Sequence, residues 1–460
     1  MSKSKKHRAT KALGKAHKAK APVVSHEISP SDPKPSFSQR WLTHEAFVRH
    51  CYWLLKLYFL SAPFSIVLAQ IFMGLANVYW LLFVGHSLKK LPKGPHRRNF
   101  LWESFFGAEL GLPILAWLVL AYLAAIAGVN PPRAFAETAK TTFWMLSPFA
   151  VAASLSHKIL SGEQVMARLR SYFHFLLFTQ SITSFHSVIS ASLGTKLSLG
   201  IPGAVTESGQ LAVLIPCILA FLFIEKQVSD KQQSLTSSPR SKELFIWSVG
   251  LCFLVAALIV NLKRGPWFGV FLTSLIFGVL ASKRTALITL CFSCAVLALA
   301  IPVQERLAAS LADFSIHGGR ETMWALGVEL ISLYPLGLGA DNAIYMRTLY
   351  PSLPSTHQHM HNNILNVTAE TGLLGGCCFI WIIFAAIQIG FRIWRRNHTD
   401  THSYLNRSFG FLGLGFALSV LSWQTSGLVE YNFGDGEVRL MALAVMGTLL
   451  ALTRVGKVQK

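Results

Sequence analysis

Charged side chains are scarce, at 14% of the 460 residues, and acidic ones are scarcer still, with 21 Asp and Glu against 42 Lys and Arg. A chain so poor in charge, with 52% hydrophobic residues and a mean hydropathy of +0.45, falls outside the range of an ordinary water-soluble domain. The seven cysteines do not form a disulfide framework. Cys217, Cys252, Cys291, Cys294, Cys377 and Cys378 lie inside apolar runs and Cys51 at the mouth of the first, so all read as small buried hydrophobes. Cys291 and Cys294 have redox-motif spacing but no βαβ setting. No cleavable signal peptide is expected, because the first apolar run begins near residue 52, behind a basic stretch. No convincing internal repeat is found, which weighs against a secondary transporter while leaving it as the alternative from a different class.

What is present is a series of apolar runs. At 1.5 Å rise per residue, roughly 17 to 25 residues cross a hydrocarbon core of about 30 Å. Runs at 52–69, 71–88, 107–128, 141–156, 171–192, 208–224, 244–262, 267–282, 285–303, 363–390, 408–427 and 437–453 are read as spans, with 52–88 either one broken helix or two. With the N-terminus inside, the short inner loops and C-terminal tail hold 21 Lys and Arg and the outer loops 8, the asymmetry expected of cytoplasmic loops. The expected fold is an all-α polytopic membrane protein of about 12 transmembrane helices, N-in and C-in. Residues 1–50 form a basic, disordered cytoplasmic tail suited to anionic headgroups rather than nucleic acid. Residues 51–303 carry helices 1–9, residues 304–362 a long outer loop, and residues 363–460 the last three helices and a short tail.

That loop is the place to seek chemistry, since long loops in compact architectures are usually functional. Its segment ETMWALGVELISLY reads as an amphipathic helix with Trp324, Val328 and Ile331 on the apolar side. Arg320 opens this helix after Gly318 and Gly319, where a cation opposes the helix dipole unless an anion sits there too. It is either a phosphate clamp or a solvent-exposed arginine. Arg264 lies in the short turn Asn261-Leu-Lys-Arg-Gly-Pro-Trp267, where Gly265 and Pro266 permit a sharp bend. It and Lys263 either bind a second phosphate or snorkel to lipid headgroups. His361 stands at the loop boundary, and imidazole suits general-base work near neutral pH. The alternation of His357, His359 and His361 also allows a metal site, although an incipient helix and the lack of a carboxylate or cysteine cluster disfavour it. Glu370 lies about 13 Å deeper than His361 on the opposite side of a helix. With Asn363 and Asn366 it forms a polar stripe that reads as a structural lock more than as catalytic machinery.

Four features, in order and separation, resemble the O-antigen ligase and polymerase superfamily of bacterial envelope glycosyltransferases of the GT-C type. They are Lys263-Arg-Gly-Pro-Trp267, Gly319-Arg320 with Trp324 and Pro335-Leu-Gly-Leu-Gly339, His361-Asn-x-x-Leu365 with Glu370-x-Gly372, and Val429-Glu-Tyr-Asn-Phe-Gly-Asp-Gly-Glu437. The resemblance runs from about residue 244 to 450. It implies a cofactor-free, metal-independent, inverting transfer of a glycan from undecaprenyl diphosphate to an acceptor hydroxyl at the periplasmic face of the inner membrane. It also implies that Arg264 and Arg320 bind the diphosphate and His361 is the general base, with Lys263, Asn362 and Glu370 as supporting positions. The acceptor is a lipid A-core sugar in ligases, another lipid-linked repeat in polymerases and a protein hydroxyl in other relatives. One long outer loop holding both Arg320 and His361, with short outer loops at 129–140 and 193–207, favours the ligase.

Overall fold

The computed structural model describes residues 42–106, 109–156, 158–194, 203–235, 242–315, 319–353, 358–400 and 403–455. All regular structure among them is helical. In chain order the helices are α1 (His44–Ser61), α2 (Ile66–Lys90), α3 (Pro95–Leu101), α4 (Gly111–Ala127), α5 (Pro131–Trp144), α6 (Ser147–Ser154), α7 (Gly162–Ser192), α8 (Ala204–Leu235) and α9 (Lys242–Val260). They continue with α10 (Arg264–Ala281), α11 (Lys283–Leu299), α12 (Ile301–Ser315), α13 (Arg320–Leu333), α14 (Met346–Leu349), α15 (Asn363–Asn397), α16 (Tyr404–Ser426) and α17 (Gly436–Val455). Starts are set by side chains that take up otherwise orphaned amides. Thr43, Ser65, Ser282 and Ser403 cap α1, α2, α11 and α16, and Ser161 forms a reciprocal capping box with Gln164 on α7.

Among the described residues, seven helices are long and apolar enough to cross a membrane: α2, α8, α9, α10, α15, α16 and α17. The pair α11 and α12, bent by 87° at residue 300, makes an eighth if counted as one span. The chain is a helical polytopic membrane protein. Each expected apolar run coincides with helix, but several boundaries move. Residues 52–88 belong to two helices separated at Pro63, and α1 starts at His44, inside the stretch read as a tail; residues 1–41 lie outside the described residues. The run at 141–156 is broken between Trp144 and Ser147, because Pro148 lies in the first turn of α6 and cannot continue α5. Residues 131–140, read as a short loop, are instead the start of α5, capped by Asn130 and begun by two prolines. The expectation of buried cysteines holds only for Cys51 and Cys217. Cys252, Cys291, Cys294 and Cys377 face outward on apolar helix surfaces, where hydrocarbon is their partner, and all seven are free.

Helix α16 packs against α8, α10 and α15, with Leu412, Leu414, Phe416, Ala417 and Leu418 buried. Lipid offers no hydrophobic drive between helices, so close backbone approach and polar contacts supply adhesion. A Cβ on Gly390 of α15 would collide with the Gly413 carbonyl of α16, so that crossing requires the missing side chain. Asn77, fully buried on α2, donates to the Phe143 carbonyl at 3.0 Å and the Ser147 hydroxyl at 3.1 Å, bridging the break between α5 and α6.

A smaller core lies at the loop end, where Met323, Leu326, Leu330, Leu338, Ala343, Met346, Leu353, Met360 and Ala369 pack together. It corrects the orientation of α13. The buried side is Met323, Leu326, Gly327 and Leu330, while Val328 is exposed and Trp324 only half-buried, because α13 rests on α15 through a face offset from the one the apolar spacing suggests.

Residues 335–339 cross over α15 backbone to backbone. The amides of Leu338 and Gly339 donate to the carbonyls of Ala369 and Glu370, each at 2.9 Å, and the Leu373 amide returns a 3.2 Å bond to Pro335. This works because α15 is interrupted at Gly372, whose φ of 78° and ψ of 171° suit glycine alone. Gly337, at φ 98°, has the Gly372 amide where its Cβ would be, 2.5 Å away. A non-glycine residue in this region of backbone space costs about 1–3 kcal/mol before any clash is counted. Gly372→Ala is therefore expected to lower the midpoint of thermal unfolding in detergent, and an unchanged midpoint would show that the crossing does not depend on it.

Candidate active site

The site is assembled by four segments: the turn before α10, the start of α13, the start of α15, and the link 427–435 between α16 and α17. In the first, Leu262 takes the positive φ of 53° that makes the turn, and the Trp267 indole donates to the Leu258 carbonyl at 2.6 Å. Gly265 and Pro266 do not form the bend; they lie in the first turn of α10, where proline is tolerated. Gly265 admits the 427–435 link, since a Cβ there would meet Val429 at 2.6 Å. Arg264 is the first residue of α10 and Arg320 the first of α13, and neither helix has a side-chain cap on its amides.

At the start of α15, Asn362 accepts from the amides of Ile364 and Leu365 at 2.9 and 3.0 Å and donates to the Leu428 carbonyl at 2.9 Å. Asn363 uses both ends of its amide: Nδ2 donates to Asn432 Oδ1 at 2.7 Å and Oδ1 accepts from the Phe433 amide at 2.9 Å. The 427–435 link is thus fastened to the helix that His361 precedes. His361 itself has a φ of 48°, an uncommon backbone for a residue with a side chain. Its amide donates to His359 Nδ1 at 3.3 Å, and the two rings stand edge to face with centroids 4.3 Å apart.

Glu430 joins the parts. Arg320 donates through Nε to the Val429 carbonyl and through Nη2 to Glu430 Oε1, both at 3.0 Å, while Glu430 Oε2 faces His361 Nδ1 at 3.6 Å. Burial pushes the Glu430 carboxyl up, but the His361 imidazole and the charges of Arg320 and Lys263 outweigh it and hold the group below the usual carboxylate range. These side chains border a cavity of 340 Å³ whose walls include Lys263, Arg306, Arg320, His359, His361 and Glu430.

Of the residues singled out from sequence, Arg320, His361 and Lys263 meet in this cavity. Arg264, one position from Lys263, is not among the described residues lining it; the third cation there is Arg306, brought in by the bend before α12 and donating to the Leu262 carbonyl at 3.3 Å. Glu370 is elsewhere. Its side chain is buried on α15 beside the amides of Asp341 and Ala343, next to the 335–343 segment. Among the described residues no group of three or more His, Cys, Asp and Glu is arranged to hold a metal ion, and His357 lies outside them. Neither Glu430 nor Arg306 stands out in the sequence. The signal for Glu430 was the first of three acids in the motif 429–437; that for Arg306 was a lone arginine in an apolar segment that the chain must turn to begin.

Since the fold favours the ionised Glu430, its stabilisation is complete above the ordinary carboxylate range and is lost as pH falls through its lowered one. Glu430→Gln should cost about 1–3 kcal/mol near neutral pH, read as a lower unfolding midpoint, with the gap to the unsubstituted protein closing on acidification. A gap that stays constant with pH would contradict the charge pairing.

The chain matches no curated protein. Residues 249–380, less than a third of the chain but including Lys263, Arg306, Arg320 and His361, match the family model described as O-Antigen ligase. With that match, the motifs and their convergence on one cavity support membership of the O-antigen ligase and polymerase superfamily.

Proposed function

We propose that this protein is a ligase-type glycosyltransferase, moving a glycan from undecaprenyl diphosphate to a hydroxyl of a lipid A-core sugar at the periplasmic face of the bacterial inner membrane. The reading includes twelve crossings with both termini cytoplasmic. The observation that carries it is the meeting of two histidines, His359 and His361, two carboxylates, Glu430 and Asp435, and three cations in one cavity at the loop end of a membrane bundle. Glu430 faces Nδ1 of His361, which leaves Nε2 to take the acceptor proton. As the acceptor oxygen bonds to the anomeric carbon, the bond from that carbon to the diphosphate oxygen breaks and its electron pair leaves with the diphosphate. Arg320, Lys263 and Arg306 neutralise the departing charge in the way a divalent metal otherwise would. The uncapped starts of α10 and α13 add free amides to that anion cradle, with Arg264 at the first of them. Glu430 then serves twice, as the orienting partner of Arg320 and as the counter-charge for the imidazolium.

The ligase is preferred to a polymerase or a protein transferase because one segment between α11 and α15 contributes Arg306, Arg320 and His361 together. Complementation of a strain lacking the gene separates these. His361→Ala should insert normally and leave lipopolysaccharide core without attached polymer, while lipid-linked polymer accumulates. Core bearing a single repeat would instead indicate a polymerase, and normal attachment would end the assignment of His361 as base. Arg320→Lys keeps the charge and loses the planar fork; transfer is expected to fall about tenfold or more, and full activity would show that no bidentate phosphate contact is made.

A further inference from the structure

A second concavity opens at the same end of the bundle, with a volume of 660 Å³ and no lining residue in common with the His361 cavity. Its size falls in the range of sites that enclose small organic ligands. One wall is Asn130 and Arg133, at the start of α5; the other is the stretch Asn342 to Leu353, including Tyr345, Arg347 and Thr348. Nothing in the transfer proposed at the His361 cavity uses these residues.

The charge of the concavity is unbalanced. Arg133 is paired with Asp341 at 2.7 Å, both partly exposed, but among the described residues Arg347 has no ion-pair partner. Two guanidinium groups therefore face one carboxylate, and one fork is available for a planar anion. Beside it the Thr348 and Tyr345 hydroxyls can give and accept hydrogen bonds, as a polyhydroxylated ligand requires. The floor is rigid. Asn342 spends its amide on the Leu338 carbonyl at 2.9 Å and the Asn130 carbonyl at 3.4 Å, and the Val129 amide also donates to Leu338, at 3.1 Å.

That floor is tied to the catalytic histidine. Leu338 and Gly339 are bonded to the carbonyls of α15, and Met346, which packs under the concavity, shares its buried cluster with Met360, the residue before His361. A molecule seated here is thus held at a fixed register to the base through packed side chains rather than through a loose tether.

We propose that this concavity seats the acceptor: an acidic, hydroxyl-rich saccharide whose phosphate or carboxylate meets Arg347 and Arg133. The proposal rests on the transferase reading above and adds to it a place for the second substrate, separate from the cation cradle that receives the diphosphate.

The test uses the full-length protein in an uncharged detergent, with a labelled phosphorylated oligosaccharide as probe and its phosphatase-treated form as control. The phosphorylated form should bind at least about tenfold more tightly. Arg347→Gln should abolish that difference, and Arg133→Gln should diminish it; both residues lie at a partly exposed surface, so folding should be preserved. In transfer assays Arg347→Gln should raise the acceptor KM by about the same factor and leave the donor KM unchanged. His361→Ala should retain saccharide binding while losing transfer. If the saccharide binds through Arg347 but no glycan is ever transferred, the seat stands and the transferase reading falls. Equal binding by Arg347→Gln and the unsubstituted protein would overturn the seat. So would displacement of the probe by inorganic phosphate or short-chain phosphatidylglycerol at concentrations matching those of the oligosaccharide, since that marks a plain anion or headgroup site.

Discussion

Asn363 is the residue on which the site's geometry turns. Its side chain sits fully buried at the first position of α15, and both of its polar ends are spent on the 427–435 link, at 2.7 and 2.9 Å. In a low-dielectric interior such a fully satisfied amide specifies one arrangement, because any other leaves a buried donor or acceptor unpaired. Through it the link is held where Glu430 reaches both Arg320 and His361. Asn362 adds a second fastening one residue earlier, to Leu428. The two asparagines thereby convert two distant pieces of chain into one surface, and the ion pair of Arg320 with Glu430 closes it from the third side.

The helices were largely legible from the chain, since apolar length alone determines where lipid can be crossed. What apolar length does not contain is the position of the ends. Those follow from single side chains: Asn130 and two prolines moved the start of α5 ten residues earlier than the apolar run suggested, and Pro63 and Pro148 made breaks where hydropathy was continuous. The orientation of α13 was missed for a related reason. Trp324 and Val328 are more hydrophobic by type than Gly327, yet Gly327 is the buried position, because Met360 lies over it and needs the space.

At the site, the position of Arg320 at a helix start had suggested a phosphate. A cation placed at a helix start against the dipole implies a compensating anion, and the structure supplies one in Glu430, 110 positions away in sequence. That separation is why Glu430 itself was not legible: nothing local marks an acid as the partner of an arginine so far along the chain. Arg306 was hidden differently, because its approach depends on an 87° bend. Glu370 lies beside the amides of Asp341 and Ala343, in a segment whose crossing over Gly372 only the backbone reveals.

The exposed helix α11 carries a different lesson. None of its residues is buried, and its outward surface includes Leu287, Ile288, Phe292 and Leu299. It packs on α10 and runs into α12, which bears Arg306. With no buried residue of its own and α10 as its main neighbour, α11 is a lightly packed wall of the bundle. A carrier whose polar head must reach the cavity while its long tail stays in the bilayer needs a side entrance rather than a mouth. On the proposed reading, the lightly packed α11 stands where such an entrance would lie, next to the helix that bears Arg306.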